Sequence, residues 1–302
     1  MLPEKVKIVE VGPRDGLQNE KIFVSTDDKI DLIERLIDAG LSVIESTSFV
    51  SPQKVPQMAD CQEIMFRLPE KKGVRFPVLV PNMRGFENAE KTGVKEIAVF
   101  AAASETFSQK NINCSIAQSL QRFEQVIKSA HNAGIAVRGY VSCIVGCPYE
   151  GFIAAQKVAE VAAALYENGC YEISLGDTLG VGTPNLIGDV IDACTGKIPV
   201  NNLAGHYHNT YGMAIVNIYQ SLLMGVSVFD SSVGGLGGCP YAPGATGNVA
   251  TEDVVYLLHG LGIQTGIDLE KIVRIGAWIN KKLQKPVASA VTRAKSAQDR
   301  CV

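Results

Sequence analysis

Residues 136–178 read AVRGYVSCIVGCPYEGFIAAQKVAEVAAALYENGCYEISLGDT and contain one complete strand–helix–strand unit. A β-rich run over 136–145 precedes a segment of helical periodicity over 152–169, and a second β-rich run follows over 172–178. Gly169 comes just after the last apolar turn of the helix, where a left-handed residue costs least as glycine. The unit therefore predicts two parallel strands joined by a helical crossover.

The same unit repeats along the whole chain. Strands are predicted over 6–12, 42–49, 76–81, 96–102, 136–145, 172–178, 203–209 and 227–234, with candidate helices that include 26–40, 115–134, 152–169, 213–225 and 250–262. Eight such units in about 260 residues are typical of a closed (β/α)8 TIM barrel, an α/β fold. We predict one catalytic domain over 1–302, with the barrel at about 6–262 and one or two extra helices in a C-terminal extension at about 263–302.

A doubly wound open sheet is the alternative fold. It would normally carry a phosphate-binding G-x-G-x-x-G sequence after the first strand. The sequence there is GPRDGLQ, over 12–18, and does not match.

Composition limits the classes of function. The 302 residues are 46% hydrophobic and 20% charged, which is ordinary for a globular protein and argues against general disorder. A formal net charge of −3 gives no basic excess, so nucleic acid is not expected as a partner. Without a signal peptide, an apolar run of about 18 residues or a paired cysteine framework, the chain is expected to be cytoplasmic, free of membrane and reduced at its eight cysteines.

Candidate catalytic residues follow the first, second and sixth predicted strands, since TIM-barrel enzymes carry their chemistry at the carboxyl ends of strands. After the first strand, Asp15 is a hard oxygen ligand and Arg14 a planar donor for a developing oxyanion. A local surface ion pair is the alternative for these two neighbours. The second strand carries the acid Glu45 among small hydroxyl residues, and the sixth strand carries Asp177 at its end.

The seventh strand offers a pair of histidines. His206 and His208 alternate along the strand, so their imidazoles share one face, as two ligands of one metal would. The chain holds only four histidines, and the other two, His131 and His259, lie in helical segments where no function is expected. A structural role is the usual alternative for a lone histidine in a strand. The Cys143-x3-Cys147 pair has no second half-site and is expected to be structural.

A glycine- and proline-rich stretch over 234–248 follows the eighth strand and predicts a mobile loop over the active face. Cys239 lies in its middle, where an open loop would expose the thiol and a closed loop would shield it. This suits an acid/base thiol, whereas a buried apolar cysteine is the alternative. The amide oxygen of Asn248 could join a metal shell, and Glu252 follows one turn later. Mixed oxygen and nitrogen ligands favour Mg²⁺ or Mn²⁺ over Co²⁺ or Zn²⁺.

Three segments carry a resemblance to a known family. GPRDGLQNEK over 12–21, GHYHN over 205–209 and SSVGGLGGCPYAPGATGNVATED over 231–253 resemble the 3-hydroxy-3-methylglutaryl-CoA lyases. The Arg-Asp-Gly turn and the His-x-His sequence are shared with a wider metal-dependent group that includes isopropylmalate synthases, homocitrate synthases and 4-hydroxy-2-oxovalerate aldolases. The glycine-rich loop with its cysteine is the specific part.

The resemblance implies a carbon–carbon lyase that cleaves 3-hydroxy-3-methylglutaryl-CoA to acetyl-CoA and acetoacetate in a retro-Claisen step. Leucine degradation and ketone-body production are the implied pathways, and a homodimer is the implied assembly. The chain has neither the mitochondrial leader nor the peroxisomal tripeptide of eukaryotic relatives, so a bacterial cytoplasmic enzyme is expected.

The resemblance also assigns residues. It makes Asp15, His206, His208 and Asn248 ligands of one divalent cation, Mg²⁺ or Mn²⁺. It makes Arg14 and Gln18 substrate-binding, with Arg14 also stabilising the enolate, and Glu45, Asp177 and Glu252 supporting acids. Cys239 is the implied acid, and His206 and Asp15 are both candidates for the base.

Two rival functions remain from the sequence. A synthase of the same group would condense acetyl-CoA with a 2-oxo acid, lack the loop cysteine and often carry a regulatory C-terminal domain. A metal-binding barrel without turnover would serve as a scaffold. Trp278, the only tryptophan, is expected to pack its helix onto the barrel, with a subunit contact as the alternative.

Overall fold

The computed structural model describes residues 1–238 and 247–298. Within these ranges the strands are β1 Lys7–Glu10, β2 Thr47–Ser48, β3 Val78–Leu79, β4 Glu96–Ala102, β5 Ala136–Ser142, β6 Gly146–Cys147, β7 Gly151–Phe152, β8 Glu172–Asp177, β9 Leu203–Tyr207 and β10 Val228–Ser231. The helices are α1 Thr26–Asp38, α2 Cys61–Arg67, α3 Met83–Glu90, α4 Glu105–Ile112, α5 Ile116–Asn132, α6 Ala155–Glu167, α7 Pro184–Thr195, α8 Ala214–Leu223, α9 Thr251–Gly260, α10 Leu269–Lys282 and α11 Ala290–Gln298.

Eight strands form one parallel sheet in the order β1-β10-β9-β8-β5-β4-β3-β2. An isolated parallel bridge between Glu10 and Ile44 joins the two ends of that order, and the Glu45 N–H donates to the Glu10 carbonyl at 2.9 Å. The sheet therefore closes on itself, and the prediction of a (β/α)8 TIM barrel is confirmed. β6 and β7 form a separate antiparallel pair in the loop after β5.

The second strand is shorter than predicted. The chain over 42–49 stays extended, and the Ile44 and Ser46 N–H groups donate to the carbonyls of Arg75 and Pro77. Pro77 has no N–H to donate back, so the hydrogen-bond ladder is interrupted and only β2 remains of the predicted strand.

The first and fifth strands also end earlier than predicted. β1 ends at Glu10 because Gly12–Gly16 forms a π-helical turn with Pro13 at its start. β5 ends at Ser142 because Cys143 adopts a left-handed backbone with a φ of 61°. These early ends turn the chain back over the barrel mouth.

The predicted C-terminal helices are present as α10 and α11. Trp278 of α10 lies 4.7 Å from the guanidinium carbon of Arg35 on α1 and 5.7 Å from the ammonium of Lys282, measured to the ring centroid. This supports the predicted packing role of Trp278. In the described residues no helix is both long and apolar enough to cross a membrane.

The barrel interior contains a buried charged layer instead of the branched aliphatic side chains common in TIM barrels. Arg138 of β5 donates from Nε to Glu172 at 2.7 Å and from both terminal nitrogens to Asp230 of β10 at 3.1 and 2.8 Å. Lys7 pairs with the other oxygen of Glu172 at 2.6 Å. Because each of these charges has a partner of opposite sign, the layer can be buried.

Candidate active site

A cavity of about 680 Å³ opens at the carboxyl ends of the barrel strands. Arg14, Asp15, Gln18, His206 and His208 all line it, together with Tyr140, Phe100, Phe107, Lys54, Arg122 and Gly238. The structure thus brings most of the predicted catalytic and metal-binding residues to one cavity.

Asp15, His206 and His208 form the one group of at least three histidine, cysteine or acidic residues in the described ranges that could hold a metal ion. One ligand atom from each lies within 4.8 Å of the others. Nε2 of His206 is 4.0 Å from an Asp15 carboxylate oxygen, and the two imidazole centroids are 5.4 Å apart. The spacing of the two histidines along the chain therefore produces the predicted shared face.

The protonation states of this group fit a metal. Burial alone would raise the pKa of Asp15, but Arg14 and the two histidines lower it to about 2, so Asp15 is a carboxylate at neutral pH. Burial lowers the pKa of His208 to about 4, which keeps that imidazole neutral. Nδ1 of His208 is buried and has no hydrogen-bond partner. Metal ligands must be deprotonated, and both residues are.

Asn248 joins the group from the start of the segment before α9. Its amide nitrogen donates to Asp15 at 2.8 Å and to the Leu236 carbonyl at 3.2 Å. In this orientation the amide nitrogen faces Asp15, and rotation about the last side-chain bond would exchange it for the oxygen. The metal-ligand role of the Asn248 oxygen therefore stays a prediction.

Arg14 is buried and held by two carboxylates. Nε and Nη2 both lie 2.6 Å from one oxygen of Glu45, and Nη1 donates to Asp15 at 2.6 Å. These contacts use three of the five guanidinium N–H groups and leave two for a ligand. Burial raises the pKa of Glu45 even though Arg14 opposes the shift. Glu45 therefore contacts the site through Arg14.

Gln18 lies one turn beyond Asp15 and donates to it at 3.2 Å. Its side chain also lines the cavity, as a substrate-binding residue would.

Asp177 binds the backbone of a loop and is not among the residues that line the cavity. Its carboxylate accepts the backbone N–H groups of Gly180, Val181 and Gly182 at 3.0, 3.2 and 2.8 Å. Burial raises its pKa, against these three donors. The structure therefore places this predicted acid as a support for the turn after β8.

Glu252 lies beneath the cavity rather than in its lining. Its carboxyl group accepts the Gly234 N–H at 2.9 Å and the Thr292 hydroxyl at 2.9 Å, which ties the turn after β10 to α11. A side chain at Gly276 would place its Cβ 1.9 Å from Glu252, so this carboxyl is tightly enclosed. Burial raises its pKa to about 8.

We expect Glu252→Gln to change the pH dependence of stability. The folded protein binds this proton more tightly than the unfolded chain, so the contribution to stability is complete below about pH 4.5 and is lost as pH rises toward 8. Glutamine does not titrate. As pH rises from 4.5 to 8, the unfolding free energy of the variant should therefore increase relative to that of the wild type, by on the order of 2–4 kcal/mol.

Urea unfolding from pH 4.5 to 8.5 measures this difference. Glu124→Gln, at an exposed position on α5, is the matched control and should give a flat difference. Equal pH profiles for Glu252→Gln and the wild type would contradict the prediction.

Three residues near the site were not singled out from the sequence. Asp230 lies 3.2 Å from Nδ1 of His206, Arg138 donates to Asp230 at 2.8 Å, and the Tyr140 hydroxyl donates to Glu45 at 3.3 Å. All three occupy inward positions in the middle of strands. For Asp230 and Arg138, the available signal was a charged residue inside an otherwise apolar strand.

Cys239 falls outside the described residues, and so does the centre of the predicted loop. The described residues on either side lie at the site: Gly238 lines the cavity, and the Gly247 carbonyl accepts from the N–H of Asn209 at 2.9 Å. The role of Cys239 stays a prediction.

Comparison with known proteins supplies the family. The HMGL-like family model matches residues 5–279. The chain belongs to the HMGL-like family. It is 59% identical over 292 residues to the mitochondrial hydroxymethylglutaryl-CoA lyase of Bos taurus. The matched region covers 97% of this chain and 90% of the relative. The predicted family and the enzyme class, a carbon–carbon lyase, are confirmed.

Solved structures of HMGL-like proteins agree with the fold. The hydroxymethylglutaryl-CoA lyase from Pseudomonas aeruginosa has a TM-score of 0.96 and 55% identity, covering 98% of this chain and 99% of that one. An HMG-CoA lyase from Acinetobacter baumannii, in complex with coenzyme A and 3-methylmalate, has a TM-score of 0.92 and 34% identity, covering 96% of this chain and 95% of that one.

Proposed function

We propose that this protein cleaves 3-hydroxy-3-methylglutaryl-CoA to acetyl-CoA and acetoacetate with the help of one divalent cation. The observation that carries the proposal is the convergence of Asp15, His206 and His208 at one cavity of an HMGL-like barrel. Arg14, bound by Glu45 and Asp15, lines the same cavity. The chain also matches relatives that bear this lyase name over nearly their whole length.

Asp15, His206 and His208 would hold the cation, with the Asn248 oxygen as a fourth protein ligand. One carboxylate and two imidazoles with open positions suit Mg²⁺ or Mn²⁺. A bound divalent cation supplies Lewis-acid polarisation of the substrate oxygens and lowers the pKa of the hydroxyl.

The reaction breaks the bond between the carbinol carbon and the α-carbon of the thioester. The hydroxyl proton goes to a base of the site, a carbonyl forms on the acetoacetate side, and the electron pair leaves on the acetyl-CoA enolate. Arg14 faces that enolate with its two unused N–H groups and stabilises its charge. A proton from Cys239 completes acetyl-CoA.

His206 and Asp15 are the two candidates for the base. A carboxyl with a pKa of about 2 is a weak base, which favours His206. Nδ1 of His206 faces Asp230, so only Nε2 could take the proton, and that same lone pair faces the proposed metal position. Both candidates therefore stay in the proposal.

The cavity supports an acyl-CoA ligand. Its volume of about 680 Å³ falls in the range of small-molecule sites, and Lys54 and Arg122 add positive charge to a lining that also contains the apolar Phe100 and Phe107. The relative from Acinetobacter baumannii was solved with coenzyme A. The proposal also includes a single catalytic domain, a homodimeric assembly and a cytoplasmic location. The proposed role is in leucine degradation or ketone-body production.

A cleavage assay tests it directly. Chelator-treated protein is given 3-hydroxy-3-methylglutaryl-CoA with and without Mg²⁺ or Mn²⁺, and acetoacetate is measured. Cation-dependent acetoacetate release is the expected result. Condensation of acetyl-CoA with a 2-oxo acid instead would favour the synthase, and stoichiometric metal binding without either reaction would favour the scaffold.

Arg14→Lys should lower kcat by about 10²–10³-fold while the metal content stays the same. Lysine keeps the positive charge but cannot present the planar fork to Glu45, Asp15 and the enolate together. Loss of one donor to a developing oxyanion typically has an effect of about this size.

Steady-state kinetics with a metal count per chain measures the result. Arg35→Lys, on the outer face of α1, is the control and should keep the wild-type kcat. A variant of Arg14 that raised KM with kcat unchanged would make this residue a docking group only.

A further inference from the structure

The two metal-site histidines differ in how their far ring nitrogens are held. Nδ1 of His206 lies 3.2 Å from Asp230 and is enclosed by the barrel. Nδ1 of His208 is buried with no hydrogen-bond partner. A neutral imidazole has one N–H and one lone pair, and the partner of one nitrogen decides which nitrogen carries the proton.

Asp230 is held rigidly at this position. It is the register partner of His206 in the adjacent strand, so the sheet itself fixes the two side chains next to each other. The oxygen that faces His206 also accepts from the Ser174 hydroxyl at 2.7 Å and from Arg138 at 3.1 Å. The second oxygen accepts from Arg138 at 2.8 Å.

Ser174 and Arg138 therefore both donate to the Asp230 carboxylate. Paired side-on with an arginine, Asp230 is an anion that only accepts hydrogen bonds. Nδ1 of His206 must then carry the ring proton, and the lone pair falls on Nε2, the nitrogen 4.0 Å from Asp15.

We propose that Asp230, locked by its two hydrogen bonds with Arg138, is a positioning residue that fixes His206 in the Nδ1–H tautomer and so aims its Nε2 lone pair at the metal position. The inference rests on the proposed metal site. Hydrogen-bond partners of this kind orient metal-binding histidines, and their loss typically weakens metal affinity by about 10–100-fold.

The tautomer can be read in the metal-free wild-type protein without substrate. The chain has four histidines, so ¹⁵N-histidine labelling of the whole protein gives a small set of ring signals. Spectra of metal-free protein near pH 8 should show His206 protonated on Nδ1 and bare on Nε2, with the signal assigned by its loss in His206→Gln. A bare Nδ1 on His206 would overturn the proposal.

Asp230→Asn supplies the second test. The amide can turn its N–H toward Nδ1, which favours the opposite tautomer and directs a ring N–H at the metal position. We expect the Kd for Mn²⁺, measured by EPR titration of free Mn²⁺, to rise by about 10–100-fold, and the Nδ1–H signal of His206 to be lost.

Ser174→Ala is the matched control. It removes one donor from the same Asp230 oxygen but leaves the contact with His206, so the tautomer should persist and the Kd should stay within about threefold. Equal losses in both variants would show general loosening of the barrel interior and overturn the proposal, as would an unchanged Kd in Asp230→Asn. If Asp230→Asn fails to fold, the wild-type tautomer still decides.

These readouts are independent of turnover. Wild-type protein that binds Mn²⁺ with the expected tautomer but leaves 3-hydroxy-3-methylglutaryl-CoA intact would refute the proposed reaction and support the inference. Active wild-type enzyme with a bare Nδ1 on His206 would do the reverse.

Discussion

Replacing His208 with alanine is expected to reduce cleavage of 3-hydroxy-3-methylglutaryl-CoA to the background rate while the barrel stays folded. The imidazole is one of three ligand groups that converge within 4.8 Å, and alanine offers no atom to a cation. Its Nδ1 makes no hydrogen bond, so the change breaks no polar contact at that nitrogen. The variant should also lose stoichiometric Mn²⁺ binding.

Acetoacetate release, Mn²⁺ titration and circular dichroism measure the three parts of this result. His131→Ala is the matched control, because His131 is an exposed histidine on α5 far along the chain from the site. Wild-type activity in His208→Ala, full activity of chelator-treated wild type, or loss of the fold in the variant would each contradict the ligand assignment.

The barrel could be predicted because its signal is repeated. Each crossover combines an apolar strand, a periodic helix and a glycine at the helix end, and Gly40, Gly93, Gly134, Gly169 and Gly225 all adopt the expected positive φ. Strand ends were less predictable because they depend on tertiary hydrogen bonds. At 42–49 the apolar pattern continues, but a proline in the neighbouring segment stops the ladder.

The candidate metal-binding group could be predicted because its geometry is local. Alternation along one strand fixes where His206 and His208 point, and the turn after β1 brings Asp15 to the same end of the barrel. The individual roles of the predicted supporting acids could not be deduced from local geometry in this way. Asp177 lies at a strand end and Glu252 at the start of a helix, yet the structure uses both to accept backbone N–H groups of particular turns.

Asp230 was missed for the opposite reason. A search of strand ends passes over a residue in the middle of β10, and its partner Arg138 is 92 positions away. Only closure of the sheet brings the two together.

Cys239→Ser should retain substrate and metal binding and lower kcat by about 10²–10⁴-fold, the usual contribution of a general acid or base. A serine hydroxyl is a much weaker acid than a thiol, so it cannot deliver the proton that acetyl-CoA needs. Gly238, the described residue next to Cys239 in the chain, lines the cavity.

Thiol alkylation gives an independent reading of the same prediction. Of the six described cysteines, five are buried, and burial raises the pKa of Cys170 and Cys194 to about 12, so these thiols should react slowly. Cys61, on α2, is the partly exposed one, and burial raises its pKa as well.

We expect inactivation by a thiol reagent to follow modification of Cys239, and a bound substrate analogue to protect the enzyme. Cys61→Ser is the matched control: it should keep wild-type kcat and wild-type sensitivity to the reagent, whereas Cys239→Ser should be insensitive. Peptide mapping of the alkylated protein identifies the modified site. Turnover at the wild-type rate in Cys239→Ser, or inactivation that follows modification of another cysteine, would remove Cys239 from the chemistry and leave Arg14 and the metal-binding group to account for it.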